Sequence, residues 1–71
     1  MITFCTRAEL HIARHIGLYR SYGIFAFVRG QQILHIPDVF CERHKADEFV
    51  RLCNEEQPEL IHLEELIEDT L

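Results

Sequence analysis

The sequence predicts an α+β fold, a three-stranded antiparallel β-meander followed by two C-terminal helices in the order βββαα. Two observations support this prediction. In the N-terminal half, apolar residues alternate with polar ones or form short β-favouring runs, whereas in the C-terminal half they recur at helical spacing. A chain of 71 residues has room for a single domain, 1–71, with a small core.

The sequence of the first element is compatible with either a strand or a helix. Apolar side chains fall on even positions, with Glu9 and two histidines between them, which is the period of a strand. Thr6 and Glu9 also have the spacing of a capping box, and Gly17 could end a helix. We favour a strand over 8–14 with a hairpin loop near 17–21, and the helix stays an alternative.

A β-hairpin is the clearest local signal in the sequence. Residues 22–28 are rich in aromatic and β-branched side chains, and the apolar pattern resumes over 31–36. Arg29 and Gly30 separate the two stretches, and the glycine can take the positive φ that a tight turn needs. Pro37 is expected to end the second strand, because proline cannot donate a backbone hydrogen bond.

Two amphipathic helices account for the remainder of the chain. Over 41–54 the apolar residues have the spacing i, i+3, i+4, i+7, which forms one stripe along a helix. We expect Asp38 to mark its start and Asn54 to end it in a left-handed conformation. A second stripe follows the break at Pro58 and predicts a helix over 60–71, whose other face is acidic.

Both faces of the predicted sheet carry apolar side chains. Phe25 and Phe27 point to one face and their neighbours to the other, and two helices joined by a short turn most simply cover one face only. We therefore predict a homodimer that uses the uncovered face or a sheet edge, with Phe25, Phe27, Leu34 and Ile36 at the interface. The alternative is a self-sufficient monomer with one helix on each face.

Charge and composition exclude several classes of function. Residues 1–37 hold four arginines against one acid, a net +3, whereas residues 38–71 hold three bases against eleven acids, a net −8. Separated arginines beside an acidic half do not form the basic patch of a nucleic-acid binder. The longest apolar run, 22–28, is much shorter than the roughly 20 residues of a membrane span. No secretory signal is recognised, so we expect a cytoplasmic protein with three free cysteines.

Candidate chemical groups are few. Cys41 and His44 form the only close pair of metal-ligand residues, and a structural zinc site needs two such pairs, so we expect no metal and no cofactor. Ser21 is the only serine, and no nucleophile has an evident oriented base, so we predict no catalytic residues and no enzyme.

Four short segments occur in the same order as in a family of small uncharacterised proteins from Firmicutes, mostly clostridia. The segments are Tyr22-Gly23-Ile24, Ile36-Pro37-Asp38-Val39, Leu52-Cys53-Asn54 and His62-Leu63-Glu64-Glu65-Leu66-Ile67-Glu68-Asp69-Thr70-Leu71. The sequence resembles that family over about residues 8–71, and the closing His-Leu…Ile-Glu-Asp…Leu run is the most specific part. The resemblance implies a strand meander and two helices, with His62 capping or anchoring the last helix. It implies no activity, and Thr70 and Pro37 depart from the family pattern.

The combined reading is a small cytoplasmic protein-interaction or regulatory module that works as a homodimer and has an unidentified protein partner. We expect it to bind neither nucleic acid nor a membrane. The alternative function is a sensor that binds a metal or a small ligand through Cys41 and His44.

Overall fold

The computed structural model describes all 71 residues and has the predicted βββαα order. Its elements are β1 (Thr3–Ala13), β2 (Gly17–Val28), β3 (Gln31–Phe40), α1 (Arg43–Glu56), a short 3₁₀ helix (Leu60–His62) and α2 (Leu63–Thr70). The three strands form one antiparallel sheet in the order β1-β2-β3. The predicted fold class is confirmed, and residues 8–13 belong to a strand rather than to the alternative helix.

The hairpin between β1 and β2 is longer than predicted. Residues 17–21, expected as a loop, pair with β1, and the turn occupies 14–16. Gly17 closes this turn with a φ of 86°, a conformation that glycine adopts without steric cost. The alternation of apolar residues therefore continues on both sides of a three-residue turn.

Pro37 and Asp38 do not have the roles predicted for them. β3 continues through Pro37 to Phe40, which is possible because β3 is an edge strand and the proline needs no partner on its outer side. Asp38 lies within β3 in the left-handed region, with a φ of 55°, where the pairing with β2 shifts register. The residue before α1 is Glu42, and its side chain makes no capping hydrogen bond.

The end of α1 also differs from the prediction. The helix continues to Glu56, and Gln57 rather than Asn54 takes the left-handed conformation that ends it, with a φ of 50°. The Asn54 amide instead accepts the backbone N–H of Phe4 at 2.8 Å and donates to its carbonyl at 3.0 Å. Gln57 makes the same pair of bonds to Ile2, at 2.9 and 2.7 Å. These two side chains fix the end of α1 against β1.

Both helices contribute to a single core on one face of the sheet. The core consists of Phe4, Ile24, Ala26, Phe40, Ala46, Phe49, Cys53, Leu63 and Ile67. This arrangement differs from the alternative of one helix on each face, because the opposite face of the sheet receives no helix. Neither helix has the length and apolar character that crossing a bilayer requires.

Candidate functional site

The open face of the sheet carries Phe25 and Phe27, as the strand parity predicted. Phe25 is nevertheless only 7% exposed. The His35 ring stacks on it with centroids 4.2 Å apart, and the Arg7 guanidinium lies 5.1 Å from its centroid. Arg7 also lies 6.0 Å from the half-buried Phe27 ring. Side chains of the same face therefore cover much of the apolar surface that was expected to be open.

Leu34 and Ile36 lie on the other face. In the register, Leu34 pairs with Ala26 and Ile36 pairs with Ile24, and both are half-buried against the core. The four residues predicted for one interface are thus divided between the open face and the helix-covered face. Ile33, which shares the parity of the open face, is 43% exposed.

A polar cluster occupies the open face around Glu9. Its Oε2 lies 2.8 Å from Nε2 of His35, and its Oε1 accepts the backbone N–H of Asp38 at 3.2 Å. Nε2 of His11 lies 3.9 Å from Oε1. Glu9 reaches β3 across the middle strand at Gly23, where a Cβ atom would overlap its carboxylate. The sequence contains this glycine, but only the register shows that it lies beneath a side chain from β1.

Asp38 is held by a second set of contacts in the same cluster. The Tyr19 hydroxyl donates to its Oδ2 at 2.8 Å. The nearby Ser21 hydroxyl and then this Tyr19 bond lower the pKa of Asp38, and the same bond to Asp38 raises the pKa of Tyr19. Ser21 Oγ and His11 Nε2 are buried, and neither makes a hydrogen bond of good geometry. The contacts fix the left-handed residue at the bend of β3.

The polar cluster lacks the concave surface that a substrate site normally has. Glu9, His35 and Asp38 line none of the four surface cavities of the molecule. The arrangement is therefore suited to holding β3 against β1 and β2 through side chains, and it offers no enclosed space for a ligand.

The residues proposed as metal ligands are both exposed. Cys41 is exposed, and the His44 side chain is 74% exposed with Nε2 3.4 Å from a Glu42 carboxylate oxygen. No group of three or more His, Cys, Asp or Glu side chains is arranged to hold a metal ion. Burial raises the pKa of the Cys53 thiol to about 11, so this core cysteine is a poor nucleophile at neutral pH. The sensor alternative stays a prediction that no contact in the structure favours.

His62 lies at the N-cap position of α2, where the family resemblance places a capping or anchoring residue. Its side chain makes no capping hydrogen bond. The two ring nitrogens lie 3.9 Å from carboxylate oxygens of Glu59 and Glu65. These exposed contacts can attract a protonated ring, and their energetic contribution is small.

The β1–β2 hairpin extends beyond the rest of the sheet, and we call residues 10–20 the arm. The pairing of β3 with β2 stops at Tyr22, so the arm is a two-stranded ribbon without a third strand. Leu10, Ile12 and Leu18 lie on one face of it, and Ile12 and Leu18 are direct cross-strand partners. Their exposed fractions are 66%, 86% and 66%, and Ile16 in the turn is 73% exposed.

A groove runs between the two helices on the outer side of the molecule, and we call it the helix groove. Its volume is about 610 Å³. Its lining consists of Phe49, Leu52, Cys53, Glu56, Pro58, Leu66, Asp69 and Thr70. Leu52 and Leu66 remain 46% and 37% exposed there, and Glu56 and Asp69 supply carboxylates at its rim.

The even-numbered apolar residues contained the signal for the arm. Their alternation predicts a strand over 8–14. Because Leu18 is expected in a loop at 17–21, the sequence alone does not predict that Leu18 pairs with Ile12 and lies on the same face of the hairpin. The helix groove depends on how α1 and α2 pack, which no local pattern determines.

Comparison of the chain with protein-family models, curated proteins and solved structures finds no significant match. The resemblance to the clostridial family therefore stays a prediction.

Proposed function

We propose that this chain is a small protein-interaction module that works as a homodimer and associates through the apolar face of the arm. The observation that supports the proposal is the group of four large aliphatic side chains that the arm exposes. Contiguous apolar surface of this kind is uncommon on monomeric proteins and marks interaction sites.

The small size of the core gives a physical reason for association. Only 12 of the 71 residues are buried, so the chain has little internal apolar burial to offset the entropy of folding. A two-stranded ribbon is marginally stable in water unless another layer covers it. A second chain against the arm would supply that layer and would remove Leu10, Ile12 and Leu18 from water.

The open face is a weaker candidate for the same interface. Phe25 is already covered by Arg7 and His35, so a partner would gain little apolar area from it. Phe27 and Ile33 are the large apolar residues of this face that a partner could still reach. A variant at Phe27 therefore separates the two surfaces experimentally.

The test is the oligomeric state of matched variants, measured by sedimentation at micromolar concentration. The wild-type chain is expected to sediment at twice its 8.4 kDa mass, and Ile12→Glu at 8.4 kDa. Ile61→Glu is the matched control, because Ile61 is 80% exposed on the 3₁₀ helix and lies outside both the arm and the helix groove. It is expected to behave as the wild type.

Two results would contradict the proposal. A wild-type chain that sediments only at 8.4 kDa would exclude the homodimer. A dimer that Phe27→Asp dissociates and Ile12→Glu does not would place the contact on the open face, as the strand parity first suggested. Circular dichroism of each variant checks that a monomeric species is still folded.

A further inference from the structure

We infer that the arm of each chain binds in the helix groove of the second copy, so that the homodimer contains two equivalent arm–groove contacts. The inference rests on the proposed homodimer and adds the surface that receives the arm. Three observations support it: the charges of the two surfaces, their apolar side chains, and the direction in which the arm extends.

The charges of the two surfaces are complementary. Residues 10–20 contain two arginines, two histidines and no acid, whereas residues 43–71 contain three bases and nine acids. Glu56 and Asp69 lie at the rim of the helix groove, and the nearby Arg51 is already paired with Glu55 at 2.9 Å. A basic ribbon is therefore attracted to this groove, and a second acidic helix is not.

The apolar parts also match in kind and in length. Each strand of the arm, Leu10 to Ala13 in β1 and Gly17 to Arg20 in β2, extends about 10 Å at the usual rise of a strand, and the eight residues of α2 span about 12 Å. Leu10, Ile12 and Leu18 form the apolar face of the arm, and the exposed sides of Leu52 and Leu66 line the groove. Contact would bury aliphatic surface on both partners.

The direction of the arm favours a second copy over the chain's own groove. The base of the arm lies next to Tyr22, which pairs with Phe40 just before α1 begins, so the arm continues beyond the N-terminal end of α1, whereas the C-terminal end of that helix is bonded to Phe4 at the other end of β1. In the single chain, the aliphatic side chains of the arm and Leu66 remain exposed. A reciprocal exchange about a two-fold axis fills both grooves and closes the assembly at two chains.

The test combines two defective variants. Ile12→Glu damages the arm and leaves the groove intact, and Leu66→Glu damages the groove and leaves the arm intact. Each is expected to be monomeric alone in sedimentation. An equimolar mixture is expected to regain a heterodimer, because the intact arm of one variant can enter the intact groove of the other. The matched control mixes Ile12→Glu with Leu18→Glu, which share the same defect and are expected to stay monomeric.

The outcomes distinguish this inference from the proposed homodimer. A monomeric wild type would contradict both. A wild-type dimer that Ile12→Glu dissociates and Leu66→Glu leaves intact would keep the homodimer and exclude the groove as the receiving surface. Species that grow beyond a dimer as concentration rises would exclude the reciprocal arrangement, because a one-way contact produces open chains.

A charge reversal covers the case in which Leu66→Glu fails to fold. Asp69→Lys at the exposed rim is expected to weaken dimerisation by about two- to fivefold for each of the two arm–groove contacts at low salt, the range of a surface ion pair. Arg14→Glu on the second chain is expected to restore part of that loss when the two variants are mixed. Additive losses in the mixture would mean that the arm does not meet this rim, and would contradict the inference.

Discussion

Gly23 determines how the polar cluster of the open face is built. Its φ is not in the left-handed region, so it is needed for space rather than for backbone freedom. The carboxylate of Glu9 passes over it to reach His35 and the backbone of Asp38 on β3. The absence of a Cβ atom at Gly23 therefore allows Glu9 of the edge strand β1 to bond to the other edge strand, β3.

Gly23→Ala is expected to destabilise the fold by about 1–3 kcal/mol, the usual cost of forcing atoms into a filled site. The added methyl would displace the Glu9 carboxylate and would also lie 3.0 Å from the Ile36 carbonyl oxygen. Urea unfolding measures the loss, and a double-mutant cycle with Glu9→Ala identifies its source. The cost should fall in the Glu9→Ala background, and an equal cost in both backgrounds would contradict this account.

The hydroxyl of Tyr19 is expected to contribute to the acid dependence of stability through Asp38. Because the pKa of Asp38 is lower in the folded chain than its ordinary value, its stabilising contribution is present above that value and is lost as pH falls through the folded pKa. Tyr19→Phe should raise the Asp38 pKa in a carboxyl NMR titration, with the Ser21 hydroxyl still in place. Tyr22→Phe is the control, and an unchanged Asp38 pKa in Tyr19→Phe would contradict the assignment.

At the scale of elements, side chains at the end of α1 make backbone hydrogen bonds that a fourth strand would otherwise make. A side-chain amide offers one donor group and one acceptor, like a peptide unit. Asn54 presents its amide to Phe4 on the outer edge of β1, and Gln57 presents its own to Ile2, which directly precedes that strand. Unpaired edges tend to recruit strands from other chains. The two amides close the first part of this edge, and the rest of β1 leads into the arm.

Asn54→Ala is expected to cost about 2 kcal/mol, because two hydrogen bonds are lost and the Phe4 backbone groups are left partly buried without partners. Glu55→Ala is the neighbouring control, since it removes only the exposed pair with Arg51 and should cost about 0.5 kcal/mol or less. Both values come from urea unfolding. Equal losses for the two variants would mean that the Asn54 amide does not support β1.

Element types could be predicted from the sequence more fully than element ends or the polar cluster. Apolar periodicity distinguishes strands from helices, and it does so correctly even for the ambiguous first segment. Strand ends depend on pairing, and Leu18 became part of β2 because Ile12 lies opposite it. Pro37 and Asp38 stay in β3 because an edge strand tolerates a missing donor and because Glu9 and Tyr19 hold the bend. Contacts across three strands have no signature in a local pattern.

At the scale of the whole molecule, the net-positive and net-negative halves of the chain form the two different surfaces, the arm and the helix groove. The N-terminal half is net positive and extends into the arm, and the C-terminal half is net negative and forms the helix groove. The molecule is elongated, with extents of 39 × 26 × 20 Å. A small core at one end and an uncovered ribbon at the other imply that folding and association should be coupled.

Thermal unfolding should therefore depend on protein concentration. For a dimer that unfolds to separate chains, a tenfold increase in concentration stabilises the folded state by about 1.4 kcal/mol. Dividing by an unfolding entropy of about 0.3 kcal/mol/K for two chains of this length gives a rise in Tm of up to about 5 °C. Ile12→Glu should show a constant Tm over the same range, and Ile61→Glu should follow the wild type. A wild-type Tm that does not depend on concentration would mean that the core of a single chain is sufficient to stabilise the fold and that no second chain covers the arm in solution.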